Sequence, residues 1–454
     1  TGIFDGGNHT IKGLYIDSKS DRVGLFGYVE SGGKIQNVGM IDGYIKGNDY
    51  VGGVCGCNSE GTIENCYNTG SVTGTNYVGG VCGDNRRKIE NCYNIGPVSG
   101  SSNNVGGVCG YNSRTIQNCY NTGTVTGKAS NVGGVCGCND EGTIENSYNT
   151  GTVTGKSFYV GGVCGYNQGT IQTSYNAGTV SGTDYVGGVC GKNNLGTIET
   201  CYYNTEICQV EKAVGDGRTG TCTNVTGLTT TQMTGTAEAG RAGQSMVGFF
   251  EEGSVWNFKE DDKKDGEKYA YYPHLKAVTE SKDWPPKIKI YYVTFDANDG
   301  TESSPTYEQK FYENISSQLR ENTFSREGYI FYNWSDVDGS VYDDAKVANF
   351  YENKTLYAQW LGADISGKTS NGSFNAEITF KESGIKTFLK KLTFGFFFKN
   401  NCTVTITPNR QVDGMSIYYC VAGKDFFKDT QISADNIEDK VGQWSEYNLS
   451  LIHI

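Results

Sequence analysis

Six times between Val51 and Gly191 the chain repeats Val-Gly-Gly-Val-Cys-Gly, starting at Val51, Val78, Val105, Val132, Val160 and Val186, at intervals of 27, 27, 27, 28 and 26 residues. A period this regular, in this size range, belongs to stacked repeat architectures, in which each unit buries its apolar face only against its neighbours. The full unit adds a polar turn, a Gly-Thr-Ile-Glu-Asn-Cys-Tyr-Asn-Thr-Gly segment and Thr-Val-Thr-Gly. Gly and Asn break it every few residues, which suits short strands and excludes helices. The expectation is an all-β chain whose residues 1–205 form a right-handed parallel β-solenoid with three short strands per coil. Stacked at ~4.8 Å per rung, about seven coils make a rod roughly 34 Å long. Residues 1–50 read as atypical first coils, since Val23-Gly-Leu-Phe-Gly27 falls 28 residues before Val51.

In such a rod, equivalent residues line up in columns. Cys55, Cys82, Cys109, Cys136, Cys164 and Cys190 form one, and Ile63, Ile89, Ile116, Ile144, Ile171 and Ile198 another. Val72, Val98, Val125, Val153 and Val180 form a third, and Cys66, Cys92, Cys119, Ser147, Ser174 and Cys201 a fourth. These uniform columns are the expected narrow core. The Tyr-Asn pairs, such as Tyr67-Asn68 and Tyr120-Asn121, suit stacked rings beside a ladder of side-chain amides. The mixed column Gln36, Glu64, Glu90, Gln117, Glu145, Gln172 and Glu199 is expected on a solvent face, with Gln relieving carboxylate repulsion.

The pattern resembles the Glug motif, found in repeat stretches of large bacterial surface proteins that include some immunoglobulin-A-cleaving metallopeptidases. Their peptidase activity needs a His-Glu-x-x-His helix, and this chain has only His9, His274 and His453, none in that setting. After Asn204 the period is lost, and residues 206–284 are expected to cap the solenoid, since an unprotected last coil exposes an apolar end and strand edges. Glu260–Lys268 reads as a solvated loop. Trp284-Pro285-Pro286 opens a stiff linker over 285–290.

Residues 291–360, with Val293-Thr-Phe-Asp-Ala-Asn-Asp-Gly300 near the start and Thr355-Leu-Tyr-Ala-Gln-Trp360 at the end, resemble the Listeria-Bacteroides repeat. This is a small β-rich, β-grasp-like module of bacterial envelope proteins, and Asn333 stands where the family usually has Gly. Phe295, Tyr329, Phe331, Trp334, Leu356 and Trp360 are its expected core. Residues 361–448 alternate as in an Ig-like β-sandwich. Leu449–Ile454 resembles the translation of a sequencing adapter, and the chain reads as a fragment truncated at both ends.

A formal net charge of −12 argues against a nucleic-acid partner, which requires a clustered basic footprint. The longest apolar stretch, Leu392–Phe398, is far below the ~18 residues that span a bilayer. Sixteen cysteines invite a metal or disulfide reading. The Cys-x-Cys pairs Cys55/Cys57 and Cys136/Cys138 lie three coils, ~14 Å, apart, too far to share a tetrahedral zinc with ~2.3 Å bonds. Cys57 shares its column with Asp84, Tyr111, Cys138, Tyr166 and Lys192, which places it on a solvent face. In-register thiols ~4.8 Å apart do not match bridge geometry, so buried free Cys is expected. Cys208 with Cys222, and Cys402 with Cys420, are the pairs that remain open. So many thiols imply an anaerobic setting.

No catalytic, cofactor or metal residues are assigned, and no cofactor is expected. Two functions remain: a non-catalytic surface adhesin or display stalk with an extracellular ligand such as a glycan or matrix protein, and a solenoid enzyme or carbohydrate-binding region of a larger degrading enzyme. The Thr-Val-Thr strands (Thr124, Thr126, Thr152, Thr154) offer a hydroxyl face, which strand propensity explains.

Overall fold

The computed structural model describes residues 2–236, 240–249, 253–264, 267–278, 286–326 and 329–362, and beyond these the backbone of a few short strands. The chain divides into two units, Thr1–Ile290 and Tyr291–Ile454.

In the first unit each coil contains five strands rather than three, as in Val51–Gly52, Cys55–Asn58, Thr62–Glu64, Tyr67–Asn68 and Ser71–Gly74. The extra breaks have local causes. Asn65 takes a left-handed φ of 52°, as do Asn91, Asn118 and Asn146 at 50°, 52° and 47°, so the Ile and Tyr strands are separated by a corner. Asn tolerates this region better than other residues with a Cβ. The Gly-Gly step makes the other corner: a Cβ on Gly79 would lie 2.0 Å from the Cys82 carbonyl oxygen, and one on Gly80 would lie 2.2 Å from that of Gly107.

The coils stack in parallel and in register, Cys82 beside Cys109 and Ile89 beside Ile116. They build sheets of six, seven, eight and fourteen strands, and the Cys-bearing sheet counts eight rungs. The Ile and Cys columns are buried at 0% exposure from Cys55 to Cys190 and from Ile63 to Ile198, with Val72 to Val180 between them. The Tyr rings stack face to face, Tyr67 on Tyr93 and Tyr93 on Tyr120 at 4.8 Å and 1°.

Parallel stacking continues past residue 205. Val214–Asp216 pairs with Cys190–Asn193, and Thr221–Leu228 pairs with Thr197–Asn204, adding a rung without the hexapeptide. The following segment folds along the flank of the Tyr ladder rather than only over the end. Tyr175 donates to the Pro273 carbonyl at 2.6 Å and Tyr202 to that of Val247 at 2.6 Å, while Trp256 packs on Tyr148 and Tyr175. The charged stretch expected as a loop is instead strand-paired, Asp262–Lys264 against Glu267–Tyr271. Residues 287–290, expected in a linker, pair with 268–271. Their Lys-Ile-Lys-Ile alternation buries Ile288 and Ile290, the period-2 signal of a half-buried strand.

In the second unit residues 293–296 run parallel to 354–357, and Tyr329–Ser335 runs antiparallel to Lys354–Gly362 with a bulge between Phe331 and Asn333. Phe295, Phe311, Trp334 and Leu356 are fully buried. Trp360 is partly buried, and its indole N–H donates to the Ala297 carbonyl at 2.6 Å. Tyr329 is outside the core at 43% exposure, with the Arg326 guanidinium 4.1 Å above its ring. Further on, Gly372–Lys381 pairs antiparallel with Ile365–Thr369 and Thr403–Pro408. Most of residues 361–448, and with them the Ig-like expectation and Cys402, lie outside the described residues.

Candidate binding surface

Whether a repeat rod can do chemistry depends on which columns its coils leave open. The Cys column is closed: each thiol donates to the carbonyl two residues on, Cys82 to Asp84 at 3.2 Å, Cys109 to Tyr111 at 3.1 Å and Cys136 to Cys138 at 3.2 Å. Burial pushes the thiols of Cys55, Cys109, Cys136 and Cys190 well up, so they stay protonated and unreactive, and Cys82 and Cys164 of the same column are closed off at the same 0% exposure. Cys208 and Cys222 are both free; Cys208 is buried against the Asn176 amide at 3.5 Å, and Cys222 is exposed. Among the described residues no group of three or more His, Cys, Asp or Glu side chains could hold a metal ion.

The expectation for Cys57 and Cys138 needs correction. They are 5% and 7% exposed, and Asp84 between them in the column is 1% exposed. The Cys57 thiol donates to the Asp84 carboxylate at 3.7 Å, and Tyr77 and Tyr111 meet edge to face at 5.7 Å beside a column whose longer members Tyr111, Tyr166 and Lys192 are half-buried. The Cys57 thiol is pushed up to about 12 by burial, with the Asp84 carboxylate adding to it.

Two buried amide ladders run the length of the rod. Asn58, Asn85, Asn112, Asn139, Asn167 and Asn193 form one, each Nδ2 donating to the next Oδ1 at 2.7–2.9 Å. The other, Asn68, Asn94, Asn121, Asn149 and Asn176, has bonds of 2.8–2.9 Å. Sequence reasoning found the second through the Tyr-Asn pairs and missed the first, although an Asn three residues after each column Cys signals it. The Glu/Gln column is only half-buried for most of its length and is engaged in side-chain pairs: Glu64 with Lys34 at 2.8 Å, Glu90 with Lys88 at 2.7 Å, and Gln172 donating to Glu145 at 2.7 Å.

The exposed positions of the coils are mostly charged and hydroxyl side chains, such as Arg86, Arg114, Thr124, Lys128, Thr152 and Lys156, and one corner column adds partly open aromatic rings. Immediately before the Val of each hexapeptide sits a residue with left-handed φ: Tyr50, Tyr77, Asn104, Asn131, Tyr159 and Tyr185, at 53–65°. Tyr50 and Tyr77 stack at 4.7 Å. Tyr159 contacts Phe158, Tyr166 and Tyr185 at 6.1, 5.8 and 5.4 Å. Phe158 and Tyr185 are 45% and 40% exposed.

The fold and its closed interior define a β-solenoid repeat protein carrying further β modules. More particularly, the chain carries GLUG motifs, matched at residues 47–73, 101–126 and 128–154, and a Listeria-Bacteroides repeat domain, matched at 291–359. It is 44% identical over 73 residues to halomucin of Haloquadratum walsbyi, covering 16% of this chain and 1% of that protein's length. A solved structure from Bacteroides ovatus, named as a candidate immunoglobulin A1 protease, is 24% identical with a TM-score of 0.36, covering 60% of this chain and 77% of that one. These repeats are those of surface proteins, which fits an extracellular or cell-surface location. Among the described residues no helix is long and apolar enough to cross a membrane.

Proposed function

We propose that the chain is a non-catalytic part of an extracellular surface protein, an adhesin or display stalk in which the solenoid is a rod that holds a ligand-facing exterior. The observation that supports this reading most is the self-sufficiency of the interior. Cys and Asn columns that would offer nucleophiles or ligands in another setting are bonded to the next coil or to their own backbone. Nearest-neighbour stacking then leaves outward columns free to vary without unfolding the rod. The unbridged thiols fit an oxygen-poor setting, and the sequence of residues 361–448 suits an Ig-like module.

The test is to screen the purified chain against host glycans, matrix proteins and mucin, measuring retention together with reducing-end and peptide release. Saturable retention without release is the expected result. Turnover that is lost on Glu145→Gln or Glu199→Gln would overturn the reading in favour of a solenoid enzyme.

A further inference from the structure

Two aromatic columns run along the rod, and the chain treats them differently. In the Tyr67-to-Tyr202 ladder Phe249 and Trp256 pack on Tyr148, Tyr175 and Tyr202, and Tyr120, Tyr148 and Tyr175 are 0–1% exposed, while Tyr67 at its start is half-buried. The column that precedes each hexapeptide keeps partly open rings. Its backbone is left-handed, a conformation that favours Asn or Gly over Tyr, and Asn occupies it at 104 and 131. Tyr at 50, 77, 159 and 185 is therefore not what the corner itself prefers.

The open rings form two clusters. Tyr50, Tyr77 and Tyr111 make one, and Phe158, Tyr159 and Tyr185 the other. From Tyr77 to Tyr159 is three rungs, ~14 Å at the strand spacing. Between them lies an amide strip of exposed Asn103, half-buried Asn131 and buried Asn104, in which Asn131 Nδ2 donates to Asn104 Oδ1 at 2.7 Å. Cations on this face have partners: Arg22, at the same left-handed corner before Val23, lies 4.8 Å from the Tyr28 ring, Arg86 bonds Asp84 at 3.0 Å, and Lys192 lies 5.1 Å above the Tyr159 ring and 3.7 Å from Asp216. Scattered along the rod and already partnered, these cations make a poor footprint for a polyanion. The backbone N–H groups of Tyr50, Val51, Tyr77 and Val78 are bonded to the next coil, so a peptide cannot add as a strand along this face.

We infer that this strip is a docking track for a neutral polysaccharide lying along the rod axis, with the apolar C–H faces of its sugar rings on the two aromatic clusters and its hydroxyls over the amide strip. The inference rests on the non-catalytic reading above and gives it a ligand class. Tyr50 and Tyr77 cover one face of each other, so what the rings offer a sugar is an apolar body beside a polar hydroxyl, and two clusters joined by one polymer bind with the advantage of an intramolecular second contact.

The test is affinity electrophoresis of the full chain in native gels containing hydroxyethylcellulose, glucomannan or galactan, with heparin and polygalacturonate as polyanion arms. Tyr77→Asn with Tyr159→Asn is the diagnostic pair, because Asn already occupies this corner in two coils; Phe158→Ser with Tyr185→Asn is a second pair, and circular dichroism checks folding. Retardation by at least one neutral polymer, weakened at least tenfold in either folded pair and unchanged in Thr124→Ala with Thr152→Ala, is expected. No retardation by a neutral polymer, retardation by polyanions alone, or Tyr variants retarded like the parent would each overturn the track. Reducing ends measured in the same samples address the rod reading separately, since their release would overturn the non-catalytic assignment without touching where the polymer binds.

Discussion

Asn121→Ala should destabilise the rod where it sits, far more than its size implies. Asn121 makes four bonds: Nδ2 donates to Asn149 Oδ1 at 2.8 Å and to the Gly123 carbonyl at 2.7 Å, and Oδ1 accepts from Asn94 Nδ2 at 2.8 Å and from the Gly123 N–H at 3.2 Å. Alanine removes all four. Asn94 Nδ2 keeps the Gly96 carbonyl at 2.7 Å and Asn149 Oδ1 keeps the Gly151 N–H at 3.2 Å, so the loss falls on the N–H and C=O of Gly123, which is buried. At ~1–3 kcal/mol for each buried group left unsatisfied, the expected cost is about 2–6 kcal/mol. Because each coil contacts only its neighbours, the damage should be local. Hydrogen exchange read by mass spectrometry should show faster exchange in peptides covering residues 119–127 and their neighbouring coils, with a lower urea midpoint. Thr126→Ala, half-exposed on the outward face, is the control, expected within ~0.5 kcal/mol. If Asn121→Ala behaves like that control, the amide ladder contributes nothing and the reasoning fails.

With Cys402 and Cys420 replaced by serine, a native thiol reagent should label Cys222 quickly and leave the thirteen buried cysteines, Cys57 and Cys138 included, protected until denaturant is added; rapid labelling of Cys57 would restore the solvent-face reading. Ile116→Ala, at a fully buried position, should cost ~2–5 kcal/mol in urea denaturation, and a cost below ~1 kcal/mol would argue against a dry, close-packed interior. In the second unit Lys354, 2.8 Å from Asp336, together with the N–H groups of Asp338 and Ser340, holds the Asp336 carboxyl down at about 2. A depressed carboxyl contributes stability above its unfolded value of ~3.9 and loses it as pH falls toward 2. The melting temperature of wild type should therefore fall more steeply than that of Asp336→Asn between pH 4 and pH 2, and parallel curves would remove this role.

In-register parallel stacking maps sequence period directly onto space, which is why the Cys, Ile and Tyr columns were legible from spacing alone. Features that depend on packing across columns were not. Cys57 shares a column with Lys192 and Tyr166, so its polarity pattern reads as solvent, yet it is buried while those longer side chains are half-buried. The rung at Thr221–Leu228 lacks the hexapeptide, and it is recognised by backbone pairing rather than by residue type. The left-handed corner column was also invisible as a surface, because Tyr in four coils and Asn in two look like variation until both are seen to take one backbone conformation.

The fourth column indicates what the many cysteines are for. Cys119 donates its thiol to the Gln117 carbonyl at 3.1 Å, while the hydroxyls of Ser147 and Ser174 donate to the carbonyls of Glu145 and Gln172 at 2.8 Å. The acceptor side is shared as well: the Cys66 N–H reaches Cys92 Sγ at 3.4 Å, the Cys119 N–H reaches Ser147 Oγ at 3.2 Å, and the Ser147 N–H reaches Ser174 Oγ at 3.1 Å. Position by position the corner needs a small side chain that can give one hydrogen bond backward and take one from the coil before. Sulfur and oxygen both meet that need, whereas metal binding by soft thiolates or disulfide chemistry would not survive the exchange. The thiols are thus read as packing groups with a weak donor, and residue type is free to change instead at positions such as the left-handed corner, where two Tyr, two Asn and two Tyr follow one another on a backbone that does not change.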